Sequence, residues 1–312
     1  MTRPLKLTLG VKTDPIEYRY SYEWLFRLMA EEGVRHAQIG SFFEIYQLPD
    51  DYFVELRRTA DKCGVTIASV FTAHRELGGF FQGDPRWEKI ARANYERLIV
   101  AGALMGARSV GSNPGAVMRD RMETKPAGIA CYIRHIKELM AFAKTQGVEC
   151  LTIEPMSCLA EPPTLPDEIR AMCEELMAHH RAKPQWRAAI GCCTDVSHGY
   201  ADRDGVVKFD NMRLLEDALP WTTELHLKNT DKIFNSTFGF SPAERERGIV
   251  DLAVVRDLIL RNAEKLPVSE LIGYLEIGGP KTGRDYSDGK LEQQLRESLR
   301  YARETFAAHG QE

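Results

Sequence analysis

EWLFRLMAEEGVRHAQIGS, residues 23–41, is the stretch on which the fold turns. Its first part repeats apolar residues at three- and four-residue spacing (Leu25, Leu28, Met29), the period of a helix with one face in a core. Gly33 then stands where a left-handed residue ends such a helix, and HAQIGS (36–41) follows with strand character. The same unit recurs downstream. FVELRRTADKCG (53–64) precedes TIASVF (66–71), Gly106 precedes ARSVGS (107–112), and YIRHIKELMAFAKTQG (132–147) precedes CLTIEP (150–155). KLTLGV (6–11) comes before the first unit; AIGCCTD (189–195), ELHLKN (224–229) and IGYLEI (272–277) come after the last. Helical patterns fill the gaps at 166–180, 209–219, 250–265 and 290–309. Eight strands alternating with eight helices predict a parallel sheet, and that count closes it into an α/β (β/α)8 TIM barrel, a single domain over residues 1–312. The competing architecture is an open doubly wound sheet. GVKTDP follows the first strand where a dinucleotide fold would place GxGxxG, and no GxxxxGK[ST] loop occurs.

Composition narrows the function. The chain is 44% hydrophobic and 28% charged, an ordinary globular balance, and 41 basic against 45 acidic residues leave no positive field to gather nucleic acid. Seven cysteines, an odd number without paired CxxC spacing, speak against a disulfide framework and for reduced thiols. The N-terminus lacks the apolar core of a signal peptide, and no apolar run approaches the roughly 18 residues of a membrane span. A soluble cytoplasmic protein is expected. The longest irregular stretch, Asn229 to Gly248 after the seventh strand, carries Phe234, Phe238 and Phe240, which argue against disorder and for a lid over the barrel mouth.

In such a barrel the reacting groups sit at the C-terminal ends of the strands. Four successive strands end on donors: Glu154, Asp195, His226 between two leucines, and Glu276 between Leu275 and Ile277. Each has a bland reading, a rim salt bridge for a glutamate or a hydrogen-bonded core position for the histidine. Together they make a metal site, because buried carboxylates persist only when paired or bound to a cation. The oxygen and nitrogen donor set suits one divalent ion, Mn²⁺, Co²⁺, Mg²⁺ or Zn²⁺, without selecting among them; Mn²⁺ is the working expectation. Candidate substrate contacts are His74 after the third strand, Asn113 beside Ser112 after the fourth, and Lys228 after the seventh. The loop GGPKTGRD (278–285) adds Lys281 and Arg284, cations placed where barrels bind phosphate. The charge runs RDRMETK (119–125) and ERER (244–247) read as solvated.

The series LTIEP, TDVSH, ELHLKN, YLEIG resembles the xylose isomerase-like barrel superfamily of sugar isomerases and epimerases, in particular its ketose 3-epimerase group, along essentially the whole chain. The resemblance implies a divalent ion held by Glu154, Asp195, His226 and Glu276, with His198 of the D-x-x-H pair beside the substrate and the two glutamates as acid and base on opposite faces of the sugar carbon. It also implies a homo-oligomer, dimer or tetramer, acting on a small sugar or sugar phosphate. Elementary chemistry agrees: removing a proton alpha to a ketone requires a stabilised enediolate, which a Lewis acid provides, and inversion requires a base on one face and an acid on the other. Two departures stand out. Lys232 occupies the place where the epimerases carry an arginine, with Arg245 and Arg247 further along, and HRELGGFF (74–81) differs from a free-hexulose enzyme. With its extended lid, the chain also resembles the tetrulose-phosphate racemases of tetritol catabolism in the same superfamily. The alternatives are an aldose-ketose isomerase, a lyase, dehydratase or decarboxylase on an oxo-sugar, a non-catalytic sugar-binding barrel, and, more remotely, a metal nuclease of the apurinic endonuclease type.

Overall fold

The structure, a computed structural model, describes residues 5–40, 44–73 and 76–307. Its strands are β1 (Lys6–Lys12), β2 (His36–Gly40), β3 (Thr66–Thr72), β4 (Ser109–Ser112), β5 (Cys150–Ile153), β6 (Ala189–Asp195), the short β7 (Tyr200–Ala201) and β8 (Val207–Phe209), then β9 (Thr222–Leu227) and β10 (Glu270–Leu275). Eight of them close a barrel in the order β1-β10-β9-β6-β5-β4-β3-β2, while β7 and β8 pair antiparallel outside it. The helices are α1 (Tyr22–Glu31), α2 (Glu44–Gln47), α3 (Asp50–Lys62), α4 (Pro85–Met105), α5 (Lys125–Thr145), α6 (Pro166–Ala182), α7 (Asn211–Ala218), α8 (Pro242–Arg247), α9 (Leu252–Arg261), α10 (Asp285–Asp288) and α11 (Leu291–Ala307). The expected eightfold barrel is therefore the observed one.

Contacts group the chain into two compact units. In the first, residues up to 39, 58–66 and from 194 on, β1 pairs with β10 from Lys6↔Glu270 to Val11↔Leu275, and β10 pairs with β9 from Ile272↔Glu224 to Leu275↔Leu227. In the second, residues 40–57 and 67–193, parallel ladders run through β3, β4, β5 and β6, the last from Cys150↔Ala189 to Ile153↔Cys192. Period-two alternation sorts each strand's faces. Thr222, Glu224 and His226 of β9 share one face, Leu225 and Leu227 the other, and all five are buried.

Local signals worked as physics requires. Gly33, Gly64, Gly106 and Gly147 all have positive φ, between 67° and 85°, the region where a side chain would be strained. Asp84 caps α4 by accepting from the Arg86 amide, with Pro85 opening the helix. Several boundaries moved. The β5 and β10 strands stop before Glu154 and Glu276, so both glutamates stand on the residues just past a ladder. Residue 209, expected to open a helix, instead closes the β7–β8 hairpin, whose turn is set by Asp202 accepting from the amides of Asp204 and Val206. The last helix is described to residue 307, and its expected end lies outside the described residues.

The segment after β9 is less irregular than its composition suggests. Asn229 and Phe238 exchange backbone hydrogen bonds of 2.8 and 3.1 Å, and residues 242–247 form α8. Nor is ERER solvated throughout: Glu244 is buried in a capping box with Ser241, and Arg245 and Arg247 lie over the rings of Tyr301 and Phe238. All seven cysteines are free. Among the described residues no helix is long and apolar enough to cross a membrane.

Candidate metal centre

Asp195 ends β6 and is 1% exposed. Its Oδ1 is satisfied locally, accepting from the Ser197 amide at 2.8 Å and the Ser197 hydroxyl at 2.7 Å. The other oxygen, Oδ2, is buried and accepts no well-aligned hydrogen bond, although Lys228 Nζ stands 2.5 Å away and His198 Nε2 3.3 Å. Burial works against this carboxylate's charge, yet His198 and Lys228 outweigh it and hold its pKa below the ordinary aspartate range.

His226 lies on the buried face of β9. Its Nε2 is 2.7 Å from Gln38 Oε1, while the Gln38 amide nitrogen donates to Glu224 Oε2 at 3.1 Å. Because Glu224 claims the NH₂ end of Gln38, the carbonyl end is left to accept the Nε2–H. The other nitrogen, Nδ1, stands 3.4 Å from Glu276 Oε2: protonated it pairs with that carboxylate, and without its proton it offers a lone pair to a cation. A carbonyl that fixes the tautomer of an imidazole is the usual support of a metal-binding histidine.

Glu276 is gripped from both sides. Lys12, the last residue of β1, donates to Oε1 at 2.8 Å and to Asp14 at 2.5 Å; Lys228 donates to Oε2 at 3.1 Å. Burial would raise this carboxyl's pKa, but His226, Lys12 and Lys228 overcome it and push it well below the usual range. Burial likewise opposes the Lys12 ammonium, and the charges of Asp14 and Glu276 more than compensate, so its pKa is raised. Glu154, just past β5 and buried, accepts from Asn113 Nδ2 at 2.8 Å, and the same amide faces Met156 Sδ at 2.7 Å.

Donor atoms of Asp195, His226 and Glu276, all in the first unit, lie within 4.8 Å of one another. Two carboxylates and one imidazole, with Asp195 Oδ2 short of acceptor bonds and His226 Nδ1 free of the Gln38 contact, fit a divalent ion. The remaining expected residues divide. Asn113, Lys228 and His198 touch the carboxylates named above. Lys232, Lys281 and Arg284 are exposed on loops, and His74 lies outside the described residues. Lys12, Gln38 and Glu224 were missed by sequence reasoning. Their signal was there: a lysine closing an apolar strand, and polar residues placed mid-strand in HAQIG and TTELHL.

Residues 26–261 match the family model described as xylose isomerase-like TIM barrel. Among solved structures, the fold is shared with a putative xylose isomerase from Rhodospirillum rubrum, 17% identical, covering 96% of this chain and 99% of that one, at a TM-score of 0.75. It is shared too with a D-psicose 3-epimerase from Clostridium cellulolyticum H10, 15% identical, covering 97% of each chain, TM-score 0.63. A probable 3-DHS dehydratase from Bacillus anthracis is 12% identical, covering 94% of this chain and 97% of that one, TM-score 0.62. No curated protein matches the chain.

Proposed function

Because the chain belongs to the xylose isomerase-like TIM barrel family, we propose that it is a divalent-metal-dependent epimerase or racemase that inverts the carbon alpha to the ketone of a small ketose or ketose phosphate. The observation that carries this reading is the cluster of Asp195, His226 and Glu276 at the strand ends of the first unit, to which the proposal adds Glu154, the glutamate that follows β5. A divalent ion, proposed as Mn²⁺, would be held by those four residues and would act as the Lewis acid that makes the alpha proton removable.

The chain's own groups do the rest. Glu276, anionic because two ammoniums face its oxygens, takes or returns the proton on one face of the carbon. Glu154, oriented by Asn113, serves the other face. His198, beside Asp195, donates to a substrate oxygen, and Lys228 balances charge as the proton moves. Lys281 and Arg284, exposed on the loop after Glu276, are read as contacts to a terminal phosphate, as a ketose phosphate such as tetrulose 4-phosphate would need. Phe234, in the segment after β9, lies so close to Gly199 that an added Cβ there would overlap its ring, and that segment is proposed as the lid. One catalytic domain, 1–312, and a homo-oligomer complete the reading.

Chelator-stripped protein assayed on a panel of ketoses and ketose phosphates tests the metal requirement. Turnover should vanish on stripping and return with Mn²⁺ or Co²⁺. Full turnover by stripped protein would overturn the proposal.

A further inference from the structure

A second group of donors lies away from the rim, between α4 and α5, wholly within the second unit. Glu88 is in the first turn of α4; Cys131 and His135 are one turn apart on α5 and therefore share a face. One donor atom from each lies within 4.8 Å of the other two. We infer that Glu88, Cys131 and His135 form a transition-metal site for Zn²⁺ or a cation of similar softness, pinning α4 to α5.

The donor chemistry sets the class of ion. One sulfur, one imidazole nitrogen and one carboxylate oxygen suit zinc and cobalt, whereas magnesium and calcium avoid sulfur. The geometry is nearly closed. Tetrahedral zinc with its usual bond lengths places ligand atoms about 3.5 Å apart, so side-chain rotation alone can complete the set, with water as a fourth ligand. His135 is already held: the Phe80 ring stacks on it at 4.6 Å, and its Nε2 is 2.7 Å from Glu88 Oε1. Burial, reinforced by Glu88, pushes the Cys131 thiol up to about 11, so the sulfur stays protonated until a cation displaces that proton.

Arg134 is the competitor. Its Nη2 donates to Glu88 Oε1 at 2.6 Å, so an ion has to displace it. The arginine side chain is 58% exposed and can turn into solvent, and water weakens an exposed pair of this kind.

Cobalt titration of the stripped full-length protein tests the site, because the rim donors include no sulfur and cannot give a thiolate-to-cobalt charge-transfer band in the near ultraviolet. Wild type should develop that band and release about one proton per ion bound through it. Glu154→Gln should keep the band, Cys131→Ser should lose it, His135→Gln should weaken cobalt binding at least tenfold, and Arg134→Ala should tighten it. A wild type without the band overturns the inference, as does a band that survives in Cys131→Ser or unchanged affinity in His135→Gln. Circular dichroism melts of the variants confirm that each is folded, so loss of the band reports the ligand and not the fold. These outcomes do not depend on whether the rim site turns over a sugar.

Discussion

Glu276 has a lysine on each oxygen and a histidine beside it, so its charge is the most heavily supported at the rim. Glu276→Gln and Glu154→Gln should each lower inversion by roughly 10²- to 10⁴-fold, the usual loss when an acid or base is removed, measured as deuterium exchange into substrate. Rates within a few-fold of wild type in either variant would refute the two-carboxylate mechanism. The pH dependence follows from the direction of the shift. The folded pKa of Glu276 lies well below 4.5, so the stability this carboxylate contributes is complete above 4.5 and is lost as pH falls through the folded value. Lys12 runs the other way: its pKa is raised above 10.5, so its contribution is complete below 10.5 and is lost only as pH rises through the folded value. Metal-free wild type, melted at pH values from neutral to below 4.5, should therefore lose stability more steeply than Glu276→Gln; equal slopes would show that Glu276 carries no linkage. The carboxylates and His226 were legible because each interrupts or closes an apolar run. Lys12 was not, since a lysine at a strand end is ordinarily solvated, and only the fold brings Glu276 within 2.8 Å of it.

At the scale of elements, Gln38 ties β2 to β9 by serving His226 and Glu224 together. Gln38→Leu would remove both partners, and it should weaken metal binding by about 10- to 100-fold, read by titration of stripped protein. The segment after β9 meets the turn after β6 where the Phe234 ring covers Gly199. Phe234 itself sits at a φ of 63°, unusual for a bulky side chain. Gly199→Ala should displace that ring, raise KM and speed proteolytic nicking between residues 229 and 241; unchanged KM and nicking would remove the segment from the site. Helix ends were legible because glycine at positive φ marks them chemically. The β7–β8 hairpin was not: its strands are two and three residues long, too short for alternation to register, although the DRDG turn at 202–205 was a sign of it.

For the whole molecule, repetition made the fold readable, since eight helix-and-strand units leave few ways to close a parallel sheet. The reaction is a harder inference. The solved structures described above, at 12 to 17% identity, share the architecture, and their names span an isomerase, an epimerase and a dehydratase, so the fold does not choose the reaction. What separates these reactions is which carbon loses its proton. The most direct measurement is therefore NMR of candidate ketoses and ketose phosphates incubated with metal-loaded protein in D₂O. Deuterium at carbon 3 with inversion there is the predicted result; deuterium at carbon 1 or 2, or a product of altered mass, would contradict it.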